Sequence, residues 1–288
     1  MAIENALPLV PAPTNVSMAV NLGGLDMKNP VTVASGTFAA GREYGDFVDV
    51  AALGAVTTKG VSLNGWAGNA SPRIAETPSG MLNSIGLQNP GVAHLKEYDL
   101  PWLAERGATV IVNVSGHSFD EYVQVIEALE DAPVDAYEVN ISCPNVDAGG
   151  MTIGTCAASV EDVVGRCRAA TKRPLIVKLT PNVTDITEIA RAAVAAGADA
   201  VSLINTLLGM RIDIETRRPI LSSVMGGLSG PAVFPVAVRM VYQVRRAVDV
   251  PILGMGGIRT GRDIVEMLLA GADAVAMGTV LFADPLAP

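Results

Sequence analysis

The chain has 288 residues, 50% of them hydrophobic, a formal net charge of -9 and three cysteines. That length suits one large α/β domain, and the negative balance argues against nucleic acid or an anionic membrane surface as partner, so any anion site must be built locally. Cys143, Cys156 and Cys167 form no Cys-x-x-Cys pair, which suits a reducing, cytoplasmic setting and excludes an iron–sulfur or structural zinc site made by this chain alone; no metal site is expected.

Residues 1–16, with Pro8, Pro11 and Pro13, read as a mobile arm ahead of a single domain over 17–288. Segments 18–21 and 25–27 flank Gly23-Gly24 as a hairpin able to plug a barrel floor. Short apolar runs then recur at 31–34, 55–58, 110–114, 136–141, 175–179, 200–204, 252–254 and 274–277, with helical spacing over 119–129, 160–170, 186–196, 233–248 and 262–270. Several runs are rich in Val and Ile without polar alternation, as parallel strands covered by helices require. Ala-Gly-Ala-Asp-Ala occurs at 196–200 and again at 270–274, each a helix end turning through glycine into the next strand. Eight such units close into an α/β fold of the (β/α)8 TIM-barrel type. The runner-up is an open doubly wound sheet, but Ser35-Gly36-Thr37-Phe38 does not supply its Gly-x-Gly-x-x-Gly. Segment 61–90 is too long for a connector and is expected to fold over the barrel mouth. After the eighth strand only 280–288 remain, so the expected final helix is missing. No apolar run reaches the roughly 18 residues of a membrane span, and no basic segment precedes an apolar one at the start.

In such a barrel the chemistry lies at the C-terminal ends of the strands. The fourth ends in Asn140-Ile141-Ser142-Cys143-Pro144-Asn145. Pro144 cannot continue the ladder, so Cys143 stands at the root of a long glycine-bearing loop that reads as an active-site cover. A cysteine that only packs is the bland alternative, weakened by the flanking Asn140 and Asn145. Ser35, Lys59-Gly60, Asn113, Lys178 and Asn205-Thr206 end the other strands on the same mouth. Two lysines and several carboxamides imply a ligand rich in carbonyl and ring-nitrogen acceptors. Gly256-Gly257 and Gly278-Thr279, after strands seven and eight, offer backbone N–H groups to a phosphate. Flavin mononucleotide suits both halves, with Lys178 near the pyrimidine end of the ring. A Schiff-base aldolase using Lys178 or Lys59 remains open on these residues. His117 reads as part of a helix-capping segment and His94 as part of a surface helix.

The runs NSIGLQNPG at 83–91, NVSG at 113–116, NISCPNV at 140–146 and GMGGI at 254–258 resemble, together, those of the dihydroorotate dehydrogenases of pyrimidine (UMP) biosynthesis. The resemblance runs from about Met18 to the end. Cys143, where other members have serine, is similar to the soluble class 1 enzymes. The Asn-Pro-Gly at 89–91 and Gly149-Gly150 resemble the class 1B catalytic subunit rather than the fumarate-using class 1A. The resemblance implies FMN held by Ser35, Lys59, Gly60, Asn113, Asn140, Lys178, Ile204, Gly230, Gly256, Gly257, Gly278 and Thr279. It implies dihydroorotate or orotate held by Lys59, Asn83, Ser84, Ile85, Gly86, Leu87, Asn140, Asn205 and Thr206. Cys143 would be the base that takes a proton from C5 while a hydride passes from C6 to the flavin. It further implies a separate electron-transfer subunit with FAD and a [2Fe–2S] cluster, joined to a homodimer of this chain in a heterotetramer, with NAD as final acceptor. A dihydropyrimidine dehydrogenase domain is a related reading that Asn145 speaks against.

Overall fold

The computed structural model describes residues 16–142 and 153–288. Eight short strands form the centre: β1 Val31–Val33, β2 Ala55–Thr57, β3 Val110–Val114, β4 Ala136–Asn140, β5 Leu175–Lys178, β6 Ala200–Leu203, β7 Ile252–Met255 and β8 Ala274–Met277. All pair in parallel with their neighbours, and β8 returns to β1 through Val275 opposite Val31. The ring is therefore closed and the open-sheet alternative falls. The helices that cover it include α1 Phe119–Leu129, α2 Ala157–Ala170, α3 Ile186–Ala195, α4 Phe234–Arg245 and α5 Gly261–Leu269. Their starts are signalled locally: Ser118 accepts the Glu121 N–H ahead of α1, and Thr260 forms a capping box with Asp263 ahead of α5.

Alternation along each strand sorts residues between two cores. Outward-facing residues such as Val112, Val139 and Val177 pack beneath the helices. Inward-facing Ala55, Ile111, Ala136, Ile176, Ala200, Leu253 and Ala274 share a second core with Leu22, Leu25 and Met27. Those three come from the antiparallel hairpin Val20–Leu22 and Leu25–Met27, so the hairpin does plug the barrel floor. Its turn needs glycine: Gly23 has φ 63°, and a Cβ there would lie 2.4 Å from the Asp199 carbonyl oxygen. Residues 1–15 of the expected arm lie outside the described residues, and Val16 is exposed.

Segment 61–90 folds over the mouth as expected. Asn64–Trp66 pairs with Asn89–Gly91, while Ile74–Thr77 and Gly80–Asn83 form a hairpin. A second excursion, 207–229, is new relative to the sequence reading. Its strands Leu207–Gly209 and Gly226–Ser229 extend that hairpin into a four-stranded sheet. β8 runs into a 3-10 turn, Thr279–Phe282. Among the described residues no helix is long and apolar enough to cross a membrane.

Candidate active site

The alternation that fills the floor with apolar side chains turns polar one layer higher. Thr57, Asn113, Glu138, Lys178 and Ser202 follow Ala55, Ile111, Ala136, Ile176 and Ala200 by two residues and face the same interior, all buried. Glu138 has no exposed surface. Its Oε1 accepts the Ser202 hydroxyl at 2.6 Å, its Oε2 accepts Asn113 Nδ2, and Lys178 Nζ stands 3.7 Å from Oε2. Lys178 Nζ also lies 3.5 Å from Ser35 Oγ. Sequence reasoning passed over Glu138 as one residue of a buried strand. The signal was a lone acid two places before Asn140, which period-2 alternation puts on the interior face.

From Glu138 a chain of hydrogen bonds climbs to the rim. Asn140 Nδ2 donates to Asn113 Oδ1 at 3.5 Å, and Asn140 Oδ1 accepts the Ser142 hydroxyl at 2.5 Å and the Ser142 N–H at 3.3 Å. Asn205 Nδ2 donates to Ser142 Oγ, and the Tyr122 hydroxyl of α1 donates to the Asn140 carbonyl at 2.9 Å. Ser142 is thus anchored on both sides. Cys143 and the loop that follows it, through residue 152, lie outside the described residues.

The glycines after β7 and β8 are closely packed. Gly257 has φ 80°, and a Cβ there would lie 2.8 Å from the Gly230 carbonyl oxygen and from the Phe234 backbone N. Gly230, at φ 99°, precedes a 3-10 turn, Pro231–Val233, that leads into α4. A Cβ on Gly256 would meet the Ile204 side chain at 3.2 Å, one on Gly278 would meet Ala34 Cβ at 3.3 Å, and the Thr279 hydroxyl donates to Ser229 Oγ at 2.8 Å. The ends of β7 and β8 thus carry glycines, and Gly257 at the end of β7 packs against Gly230 and Phe234 at the entry to α4.

The run Asn83, Ser84, Ile85, Gly86, Leu87 forms the roof. Asn69 holds it by donating to the Ser84 carbonyl at 2.9 Å and, from its backbone N–H, to the Ile85 carbonyl at 3.0 Å. Leu87 keeps a positive φ of 51°, a conformation costly for a branched side chain and common at binding loops. Asn83 Nδ2 donates to the Gly227 carbonyl at 3.3 Å, and Gly227 lies against Thr206 so closely that a Cβ would come within 1.9 Å of its Oγ1. Thr206 N–H donates to Asn205 Oδ1 at 2.8 Å, so roof and amide cluster are joined. Gly60 faces Asn113, where a Cβ would lie 2.7 Å from Oδ1. Lys59 lines a cleft of about 470 Å³ together with Arg42, Trp66, Asn89 and His94. His117 stacks on Trp66 with ring centroids 3.8 Å apart and belongs to the capping segment of α1, where Ser118 is the cap and the His117 N–H donates to the Glu121 carboxylate at 2.7 Å.

Comparison with known proteins shows the family. The family model described as dihydroorotate dehydrogenase matches residues 17–288. A protein of Alkaliphilus metalliredigens (strain QYMF) named dihydroorotate dehydrogenase B (NAD(+)), catalytic subunit, is 60% identical over 274 residues, covering 95% of this chain and 91% of that protein. Proteins of the same name from Alkaliphilus oremlandii and Bacteroides thetaiotaomicron are 58% and 55% identical, covering 95% and 93% of this chain and 91% and 89% of their own lengths. A closed barrel whose polar layer carries a buried lysine, whose roof is NSIGLQNPG and whose last strands end in glycines thus belongs to the dihydroorotate dehydrogenase family.

Proposed function

We propose that this chain oxidises dihydroorotate to orotate in pyrimidine biosynthesis as the FMN-binding catalytic subunit of a class 1B enzyme, with NAD⁺ as final acceptor through a partner subunit. Family membership removes the aldolase alternative, and the NAD(+) and catalytic-subunit wording of the relatives' names favours class 1B over class 1A. The observation that carries the reading is the polar layer at the C-terminal ends of the strands, a buried amide and lysine cluster, together with glycines at the ends of β7 and β8.

The residues present fit FMN. Among the described residues, the hydroxyls of Thr32, Thr57, Thr77, Ser84 and Ser115 are buried without a hydrogen-bond partner; Ser84 lies in the roof, and Thr57 lies in the same interior layer as Asn113 and Lys178, so a bound ligand there would have polar groups left to satisfy. Gly230, Gly256, Gly257, Gly278 and Thr279 would take the phosphate, with Ile204 beside Gly256. Ser35, Lys59, Gly60, Asn113, Asn140 and Lys178 would take the ring, and Lys178 would place its charge at the pyrimidine end. FMN, when bound, supplies the two-electron acceptor for the hydrogen that leaves C6. The roof residues Asn83, Ser84, Ile85, Gly86 and Leu87, with Asn140, Asn205 and Thr206, would bind the amide edges of the substrate. Lys59 offers a cation to its carboxylate. Cys143, directly after the anchored Ser142, would take the C5 proton as general base.

Electrons would leave through a separate subunit carrying FAD and a [2Fe–2S] cluster, joined to a dimer of this chain in a cytoplasmic heterotetramer. One spectroscopic experiment tests the reading. The purified chain should show a flavin absorption band that bleaches anaerobically with dihydroorotate and not with NADH, and it should reduce dyes but not NAD⁺ until the partner is added. A folded chain that cannot be reconstituted with FMN would refute it, efficient use of fumarate would move it to class 1A, and NAD⁺ reduction without any partner would sink both classes.

A further inference from the structure

Glu138 is a buried charge with no assigned task. We propose that it is a positioning residue that lowers the reduction potential of the bound flavin by offsetting the charge of Lys178 and fixing the direction of the amides around it. The inference rests on the FMN reading above.

Two independent observations carry it. The first is electrostatic. Lys178 is 5% exposed, and its ammonium has Ser35 Oγ at 3.5 Å and Glu138 Oε2 at 3.7 Å. A lone cation at the pyrimidine end would strongly favour the reduced, anionic ring. A carboxylate 3.7 Å from that cation offsets much of its field, and in a water-excluded layer the offset is only weakly screened. The second is directional. A carboxylate only accepts, so Asn113, which stands opposite Glu138 in the β3–β4 register, must turn its Nδ2 toward Oε2. Its Oδ1 is then left for Asn140 Nδ2, and Asn140 Oδ1 for Ser142. The charge at the base thereby sets which face each amide turns to the mouth. Ser202 holds the other carboxylate oxygen at 2.6 Å, which fixes the side chain.

The test is the flavin potential of the FMN-loaded protein, read by anaerobic equilibration with a reference dye for wild type, Glu138→Gln and Glu138→Asp. Glu138→Gln removes the charge and permits either amide direction. It should shift the two-electron equilibrium toward reduced flavin by about tenfold or more, which is about 30 mV positive for a two-electron couple. Glu138→Asp keeps the charge but withdraws it by one methylene, so a smaller shift of the same sign is expected, and this variant decides the matter if the Gln protein does not hold FMN. A residue that served folding alone would lower stability and leave the potential where it was. Unchanged potentials in the variants that hold FMN, a negative shift, or loss of FMN from both variants would overturn the inference while leaving the FMN reading intact. A wild-type chain without FMN would overturn both together.

Discussion

Replacing Lys178 by Met keeps a side chain of similar length but leaves the Glu138 carboxylate, which has no exposed surface, without its cation 3.7 Å away. Breaking a buried ion pair by removing one partner costs about 3–5 kcal/mol, because the remaining charge cannot be rehydrated. Asn113 and Ser202 still donate to that carboxylate, so the low end, about 3 kcal/mol, is the expected loss. That is a large share of the roughly 5–15 kcal/mol that separates folded from unfolded chains. At roughly 2–4 °C per kcal/mol for a domain of this size class, the melting temperature should fall by about 6–12 °C. The double variant Lys178→Met with Glu138→Gln removes both charges and leaves an amide that can still accept from Asn113, so most of the loss should return. The assay is urea unfolding of the FMN-free single and double variants at neutral pH, chosen so that lost ligand binding does not enter by mass action. A single variant within about 1 kcal/mol of wild type, or a double variant no more stable than the single, would refute this account of the buried pair.

Cys143→Ala should leave FMN bound but slow its reduction by dihydroorotate by about 10²–10⁴-fold, the usual contribution of a general base, in anaerobic stopped-flow measurements; reduction at the wild-type rate would remove Cys143 from the chemistry. Gly257→Ala forces a side chain into φ 80° and 2.8 Å from the Gly230 carbonyl oxygen, so it should fold but lose FMN on gel filtration. Gly261→Ala, at the first residue of α5 with nothing within 4 Å of the new Cβ, should retain it. The two described cysteines should separate by pH in an alkylation series followed by mass spectrometry. Hydrogen bonds from the Ser159 backbone and side chain hold the Cys156 thiol below its ordinary range, so its thiolate forms and reacts at lower pH. Burial pushes the Cys167 thiol up to about 12, so it should stay unmodified until the chain unfolds. Equal rates at neutral pH would contradict this.

The sequence by itself determined the barrel, because the eight strands of a closed parallel sheet are buried on both faces and so read as apolar-rich runs of three to six residues. β3 and β8 coincide with the runs at 110–114 and 274–277, and α1 coincides with the span 119–129, whose start Ser118 marks. It also determined which strand ends carry polar residues, since Ser35 and Asn205 directly follow a run and Asn113, Asn140 and Lys178 stand at the next-to-last position of theirs. What it left undecided are contacts between residues far apart in the chain, which leave no local periodicity. The roof at Gly80–Asn83 is completed by Gly226–Ser229, a strand whose glycines and serine look like loop until the mouth sheet supplies its partners. Gly257 needs to be glycine because Gly230 and Phe234 crowd it. Glu138 is the sharpest case. One acid inside an apolar run says nothing of its surroundings, and only closure of the ring places Asn113, Lys178 and Ser202, from three other strands, within reach of its charge. A buried carboxylate is tolerated only where such partners converge, and convergence is a property of the closed barrel rather than of any stretch of sequence.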